Sequence, residues 1–88
     1  MRAIKLTGRE ATVVRSMGFA EAMIGAELQD NTRMELEDLT DTLNGLIAAG
    51  FIETIPYFEE VQMAEMPVTA FEVNPAYVQE LRRAIAKR

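Results

Sequence analysis

The fold is decided by residues 34–53, which read MELEDLTDTLNGLIAAGFIE. At about 100° per residue, the large apolar side chains before Gly50 fall within a stripe about 100° wide, as expected for an amphipathic helix that packs against a core. Gly50 stands where a left-handed residue ends such a helix, and the apolar run after it predicts a strand that Pro56 terminates. The stripe consists of Leu36, Leu39, Leu43, Leu46 and Ile47, and the strand of Phe51 to Ile55.

Two further helices are predicted before this stretch. Thr7 and Glu10 form a capping-box pattern, so we expect Thr7 to be the N-cap of a first helix that ends at Gly18. Residues 19–23 then connect it to a short second helix, which we place from Ala26 to Thr32. The residues expected to face the core are Val13, Val14 and Met17 in the first helix, with Ile24 and Leu28 at the second.

The C-terminal part predicts a second strand and a last helix. Val68 to Val73 is rich in residues that favour strands, and Asn74-Pro75 is typical of the N-cap and first position of a helix. That helix is expected to reach Lys87. The fold class predicted is mainly α with a small antiparallel β-hairpin, as one domain over residues 1–88. The side expected to line the last helix consists of Tyr77, Val78, Leu81, Ala84 and Ile85.

The element order (three helices, a strand, a long connection, a strand and a helix) resembles a winged helix-turn-helix domain with an extra C-terminal helix. Residues 34–53 are similar to the third helix and first wing strand of MarR- and ArsR-type repressors, whose pattern there is Leu-x-x-Leu-x-x-x-Gly-apolar-Ile-Glu. The start of the first helix, Leu6 to Glu10, is also similar. Thr32 departs from these families, which usually have Leu there. The residues that match the pattern are Leu43, Leu46, Gly50, Phe51, Ile52 and Glu53.

The resemblance implies a DNA-binding regulator, but the charges disfavour it. The net charge is −5, and residues 34–80 contain ten carboxylates and neither Lys nor Arg. Acidic side chains on a helix that enters the major groove repel the phosphates beside it. We interpret this face as solvated or as docking a basic partner, with DNA readout as the remaining alternative. The face comprises Glu37, Asp38, Asp41 and Asn44, and the bases are Arg2, Lys5, Arg9, Arg15, Arg33, Arg82, Arg83, Lys87 and Arg88.

Composition argues against an enzyme. The chain has no Cys and no His, which removes the thiolate nucleophile, the usual general base and the commonest metal ligands. No spacing of carboxylates requires a catalytic or metal site, so we expect no catalytic residues, cofactor or metal. An apolar run of the ~18 residues that a membrane span needs is absent from the sequence, as is the apolar segment of a signal peptide. We therefore expect a cytoplasmic protein that does not act at a membrane.

Two apolar segments are candidates for an interface. The connection between the two strands carries Tyr57, Phe58, Val61 and Met63, which either fold back over the core or remain as an exposed patch. The last helix spaces Val78, Leu81 and Ile85 as a, d and a of a heptad, which suits pairing with a second copy or closing the core of the same copy. We predict a winged-helix interaction or dimerisation module in a regulatory or scaffolding role, binding a second copy or another protein. The alternative is a MarR/ArsR-like DNA-binding transcriptional regulator.

Overall fold

The longest helix, α3, runs from Leu36 to Ala48 in the computed structural model, which describes residues 4–86. Its apolar stripe is the centre of the core. Only Leu36 differs from the prediction, because it lies half-buried against the core rather than inside it. The four buried residues of the predicted stripe are Leu39, Leu43, Leu46 and Ile47.

The end of α3 confirms the role predicted for Gly50. Gly50 has φ 84°, in the left-handed region. Its N–H donates to the carbonyl of Ile47, and the N–H of Phe51 donates to the carbonyl of Leu46. This pair of bonds is a Schellman motif, in which the left-handed residue allows the last helical carbonyls to be satisfied. The chain therefore turns directly from α3 into the sheet.

Helix α1, Gly8–Met17, begins with the predicted capping box. The N–H of Thr7 donates to Oε1 of Glu10 at 2.8 Å, and the N–H of Glu10 donates to Oγ1 of Thr7 at 3.1 Å. Gly18, at φ 72°, ends the helix as predicted. The residues predicted to face the core, Val13, Val14 and Met17, are all buried.

Helix α2, Gly25–Thr32, follows a strand that the sequence did not predict, β1, Met23–Ile24. Leu28 is fully buried as expected. The prediction that Ile24 faces inward is wrong, because Ile24 is 40% exposed. Side chains alternate along a strand, and Met23 is the one that packs against the core.

Thr32, the residue that departs from the repressor pattern, builds the turn between α2 and α3. Its hydroxyl donates to the carbonyl of Leu28 at 2.7 Å and accepts from the N–H of Met34 at 3.3 Å. Arg33, between them, is in the left-handed region at φ 59°. The polar side chain therefore satisfies backbone groups at the end of a short helix.

The predicted hairpin is present, but it belongs to a three-stranded antiparallel sheet of order β1-β3-β2. Strand β2 is Ile52–Ile55 and β3 is Ala70–Val73. The prediction of four helices and an antiparallel sheet is confirmed, and the sheet is corrected from two strands to three. Val68 is not in the strand as predicted, since Met66–Val68 forms a 3-10 turn. The sheet residues buried against the helices are Ile52, Thr54, Phe71 and Val73.

The C-terminal helix begins as predicted at Asn74, whose side chain accepts from the N–H of Ala76 at 3.0 Å. The first turn, Pro75–Tyr77, is 3-10, and α4 proper is Val78–Ala86. α4 packs against α1, and Nη2 of Arg15 donates to the carbonyl of Ile85 at 3.1 Å. The predicted continuation to Lys87, and the bases Arg2, Lys87 and Arg88, lie outside the described residues.

Candidate interaction surface

The connection between β2 and β3, residues 56–69, folds onto the core at only two apolar residues. Val61 and Met66 are buried. Tyr57 is 68% exposed and Val68 is 80% exposed, and Phe58 and Met63 also lie outside. Burial and exposure, the two alternatives for this segment, therefore both occur, at different residues. The prediction that Val61 belongs to an interface is wrong, since its side chain contacts the core of its own chain.

The first half of the connection is held to α3 by Asn44. Its Nδ2 donates to the carbonyl of Val61 at 3.0 Å, and the N–H of Val61 donates to its Oδ1 at 2.8 Å. The N–H of Phe58 donates to Oγ1 of Thr54 at 2.6 Å. These bonds satisfy backbone groups that would otherwise be costly to bury. Asn44, predicted to lie on a recognition face, is instead a structural residue.

The second half is held to the start of α2. The N–H of Gly25 donates to the carbonyl of Thr69 at 3.0 Å. A Cβ at Gly25 would overlap the carbonyl oxygen and the sulfur of Met66, so only glycine allows this approach. The connection is thus anchored at both ends, and its exposed side chains are held in defined positions.

Between these anchors is a groove of about 220 Å³. Its walls come from the end of β2 and from both halves of the connection, and they combine apolar side chains with two carboxylates. The acidic residues, Glu60 and Glu65, are exposed. The residues that line the groove are Ile55, Pro56, Phe58, Glu60, Val61, Glu65, Val68 and Thr69.

The outer face of the sheet continues this apolar surface. Ile24 and Ile55 are both in register with Ala70, so the three side chains lie in one row across the strands. Ile24 is 40% exposed and Ile55 is 47% exposed. We call Ile24, Ile55, Phe58 and Val68 the apolar patch. Strand parity is the signal that identifies Ile55, since Ile52 and Thr54 face the core. Val68 belongs to the apolar composition of the connection, whereas nothing in the sequence indicates Ile24.

The acidic face predicted on α3 is only partly free. Glu37 and Asp41 are exposed. Oδ2 of Asp38 lies 3.5 Å from Nη2 of Arg9 on α1, in a salt bridge between exposed side chains. With Asn44 bonded to Val61, two of the four predicted residues of this face contact their own chain. Between α1 and α3 lies a wide, shallow depression lined by Thr7, Gly8, Arg9, Glu10, Asp41, Thr42 and Gly45.

The three α4 residues predicted for an interface contact the core of their own chain. Leu81 is fully buried, and Val78 and Ile85 lie half-buried against the same core. The prediction of Leu81 as an interface residue is therefore wrong. The alternative reading, in which α4 closes the core of its own chain, is the one observed.

Two of the bases near α4 also have partners within the chain. The guanidinium of Arg82 lies 5.0 Å from the ring centroid of Phe19, in a cation–π arrangement. Arg15 bonds the end of α4, as described above. Positive charge therefore stabilises contacts between elements on this side of the molecule.

No protein-family model matches the chain, and neither a curated protein nor a solved structure is significantly similar to it. Within residues 4–86, no group of three acidic side chains is arranged to hold a metal ion. No helix in that part of the chain is long and apolar enough to cross a membrane.

Proposed function

We propose that this chain is a non-enzymatic winged-helix module that binds another protein through the apolar patch, in a regulatory or scaffolding role. The observation that carries the proposal is the exposure of Ile55, Phe58 and Val68 around one groove. Apolar side chains that cluster at a surface, and are not scattered singly, are typical of interaction sites. The element order and the antiparallel sheet support the winged-helix assignment.

The composition of the patch also supports an interface. The groove beside it is lined by one aromatic and several aliphatic side chains together with the carboxylates of Glu60 and Glu65. Interfaces commonly combine an apolar centre with a polar rim. A groove of about 220 Å³ is smaller than the roughly 300–1,000 Å³ pockets that bind small molecules. It suits one or two side chains of a protein partner better than a free metabolite.

The DNA-binding alternative has weaker support. The exposed polar residues of α3, Glu37 and Asp41, are acidic, and the connection that follows β2 carries no base. A reading helix needs side chains that donate to bases or neutralise phosphates. Arg9, the base that reaches α3, is engaged with Asp38.

Site-specific photocrosslinking tests the proposal. We expect benzoylphenylalanine in place of Phe58 to give one discrete protein product in the cells that make this protein. The same group at Gln79, an exposed position on α4, is the matched control and should give none. Adding Val68→Asp should remove the product, because a carboxylate in the patch is costly to desolvate. Product at both positions or at neither would contradict the proposal, and the mass of the product distinguishes a second copy from another protein.

A further inference from the structure

We infer that the groove binds a segment of a different protein in which apolar side chains alternate with Lys or Arg. This inference rests on the proposed function and adds the chemistry of the partner. Its basis is the juxtaposition of Ile55, Phe58 and Val68 with two carboxylates in one groove.

Within residues 4–86, the carboxylates of the groove have no cationic partner. Across residues 4–86, the salt bridge of Arg9 with Asp38 is the only one, so Glu60 and Glu65 are not neutralised. Glu59, next to Glu60 in the sequence, is a third exposed carboxylate of the connection, and residues 34–80 contain no Lys or Arg. A neutral or acidic segment would lie in this negative field without compensation. A basic segment is complementary to it, which favours both binding and faster association.

A second copy of the chain does not fit this description. In a two-fold dimer through the groove, Glu60 and Glu65 of one copy would face the same carboxylates of the other. The basic side of α4 is no better, because the apolar residues beside Arg82 and Arg83 are buried in their own core. Within residues 4–86, the exposed large apolar side chains are Ile24, Ile55, Tyr57, Phe58, Met63 and Val68, and none of them adjoins a Lys or Arg in the sequence. The partner is therefore a different chain.

The groove is also held in shape before anything binds. Asn44 fixes the backbone of Val61, Thr54 fixes that of Phe58, and the hydroxyl of Thr69 donates to the carbonyl of Glu65 at 2.8 Å. The wall that carries Val68 is a 3-10 turn, in which the N–H of Val68 donates to the carbonyl of Glu65 and the N–H of Thr69, just after it, donates to the carbonyl of Met66. A preformed site loses little conformational entropy when a ligand binds, so even a short segment can bind to it.

Three eight-residue fluorescent peptides, in which Leu alternates with Lys, Ser or Glu, test this inference by anisotropy at 50 mM salt. We expect only the Lys peptide to bind, with an affinity that falls as salt rises. Glu60→Gln with Glu65→Gln should weaken it about fivefold to tenfold. Glu27→Gln with Asp30→Asn, which removes the same charge from exposed positions on α2, is the matched control and should change it less than twofold.

The outcomes separate this inference from the proposed function. Equal binding of the Ser peptide, or equal weakening by the control pair, would overturn the basic partner and leave the patch as a docking site. Absence of binding by all three peptides at about 1 mM would overturn the inference as well. The crosslink from Phe58 would then decide the proposed function independently. All four carboxylates are exposed, so their amide variants should fold, which circular dichroism checks.

Discussion

The exposed face of α3 and the apolar patch differ in what their side chains contact. On α3, Asp38 pairs with Arg9 and Asn44 bonds the backbone of Val61, so part of this face contributes to the fold. At the patch, Phe58 and Val68 are exposed although the backbone beneath them is anchored. The face indicated by a family resemblance is therefore not always the surface that is free of contacts within the chain. The surface without internal partners is the better candidate for a site.

The largest difference in stability is expected between a carboxylate placed in the core and a carboxylate placed in the apolar patch. Leu81→Glu should unfold the protein, because it places an unpaired carboxylate in a fully buried position, at a cost that rivals the stability of a small domain. Val68→Glu is the matched control and should leave the fold intact, since Val68 is 80% exposed. Thermal melting by circular dichroism measures both. A Leu81→Glu protein that melts like the wild type would mean that α4 does not close the core.

Alanine substitutions at two glycines test the close contact between Gly25 and Met66, which holds the connection in place. Gly25→Ala should destabilise the protein by about 3 kcal/mol, the upper part of the range for overpacking, because the backbone of Met66 must move. Gly45→Ala should instead stabilise it by about 0.5–1 kcal/mol, since Gly45 lies inside α3 and its added Cβ meets no atom within 4 Å. Urea unfolding compares the two. Changes of the same sign would contradict the close approach at Gly25.

Asn44→Ala should loosen the connection without unfolding the protein. It removes both bonds to the backbone of Val61, and we expect a loss of about 1–3 kcal/mol together with faster hydrogen exchange at the Val61 amide. Asp41→Ala, one turn earlier on the same helix, should change stability by less than about 0.5 kcal/mol. If the two variants behave alike, Asn44 is a surface residue and its face is free.

The smallest effect is expected in the binding of duplex DNA. The wild type should bind weakly and without sequence preference, because the exposed side of α3 is anionic. Glu37→Lys with Asp41→Lys should raise this affinity and add a salt slope of about −0.9 for each new phosphate contact. Filter binding across a salt series measures both proteins. Submicromolar wild-type binding near physiological salt, with a slope steeper than about −4, would favour the DNA-binding alternative.

The fold was predictable where its determinants are local. The Thr7 capping box, the Gly50 terminus and the Asn74 cap depend on hydrogen bonds between residues close in sequence, and all three were identified. Strand β1 was not, since two residues are too few to show a period and form a strand only by pairing with β3. The same pairing turned Ile24 outward.

The candidate site was predictable in part. The apolar composition of the β2–β3 connection identified Tyr57, Phe58 and Met63 as exposed candidates, but no periodicity in an irregular segment separates them from Val61. Val61 is buried where its side chain packs against the core and Asn44, 17 residues earlier, bonds its backbone. The groove was not predictable either, because it forms only where Ile55, at the end of β2, and Val68, in the connection, line the same space.

The four helices, the caps at Thr7 and Asn74, the strands β2 and β3 and the negative charge of the central region follow from the sequence, because periodicity, short-range hydrogen bonds and residue composition act locally. The burial of Leu81 by α4 and the exposure of the apolar patch arise only in the folded chain. Both outcomes depend on pairing and packing between residues far apart in the chain, whose geometry a one-dimensional pattern does not contain.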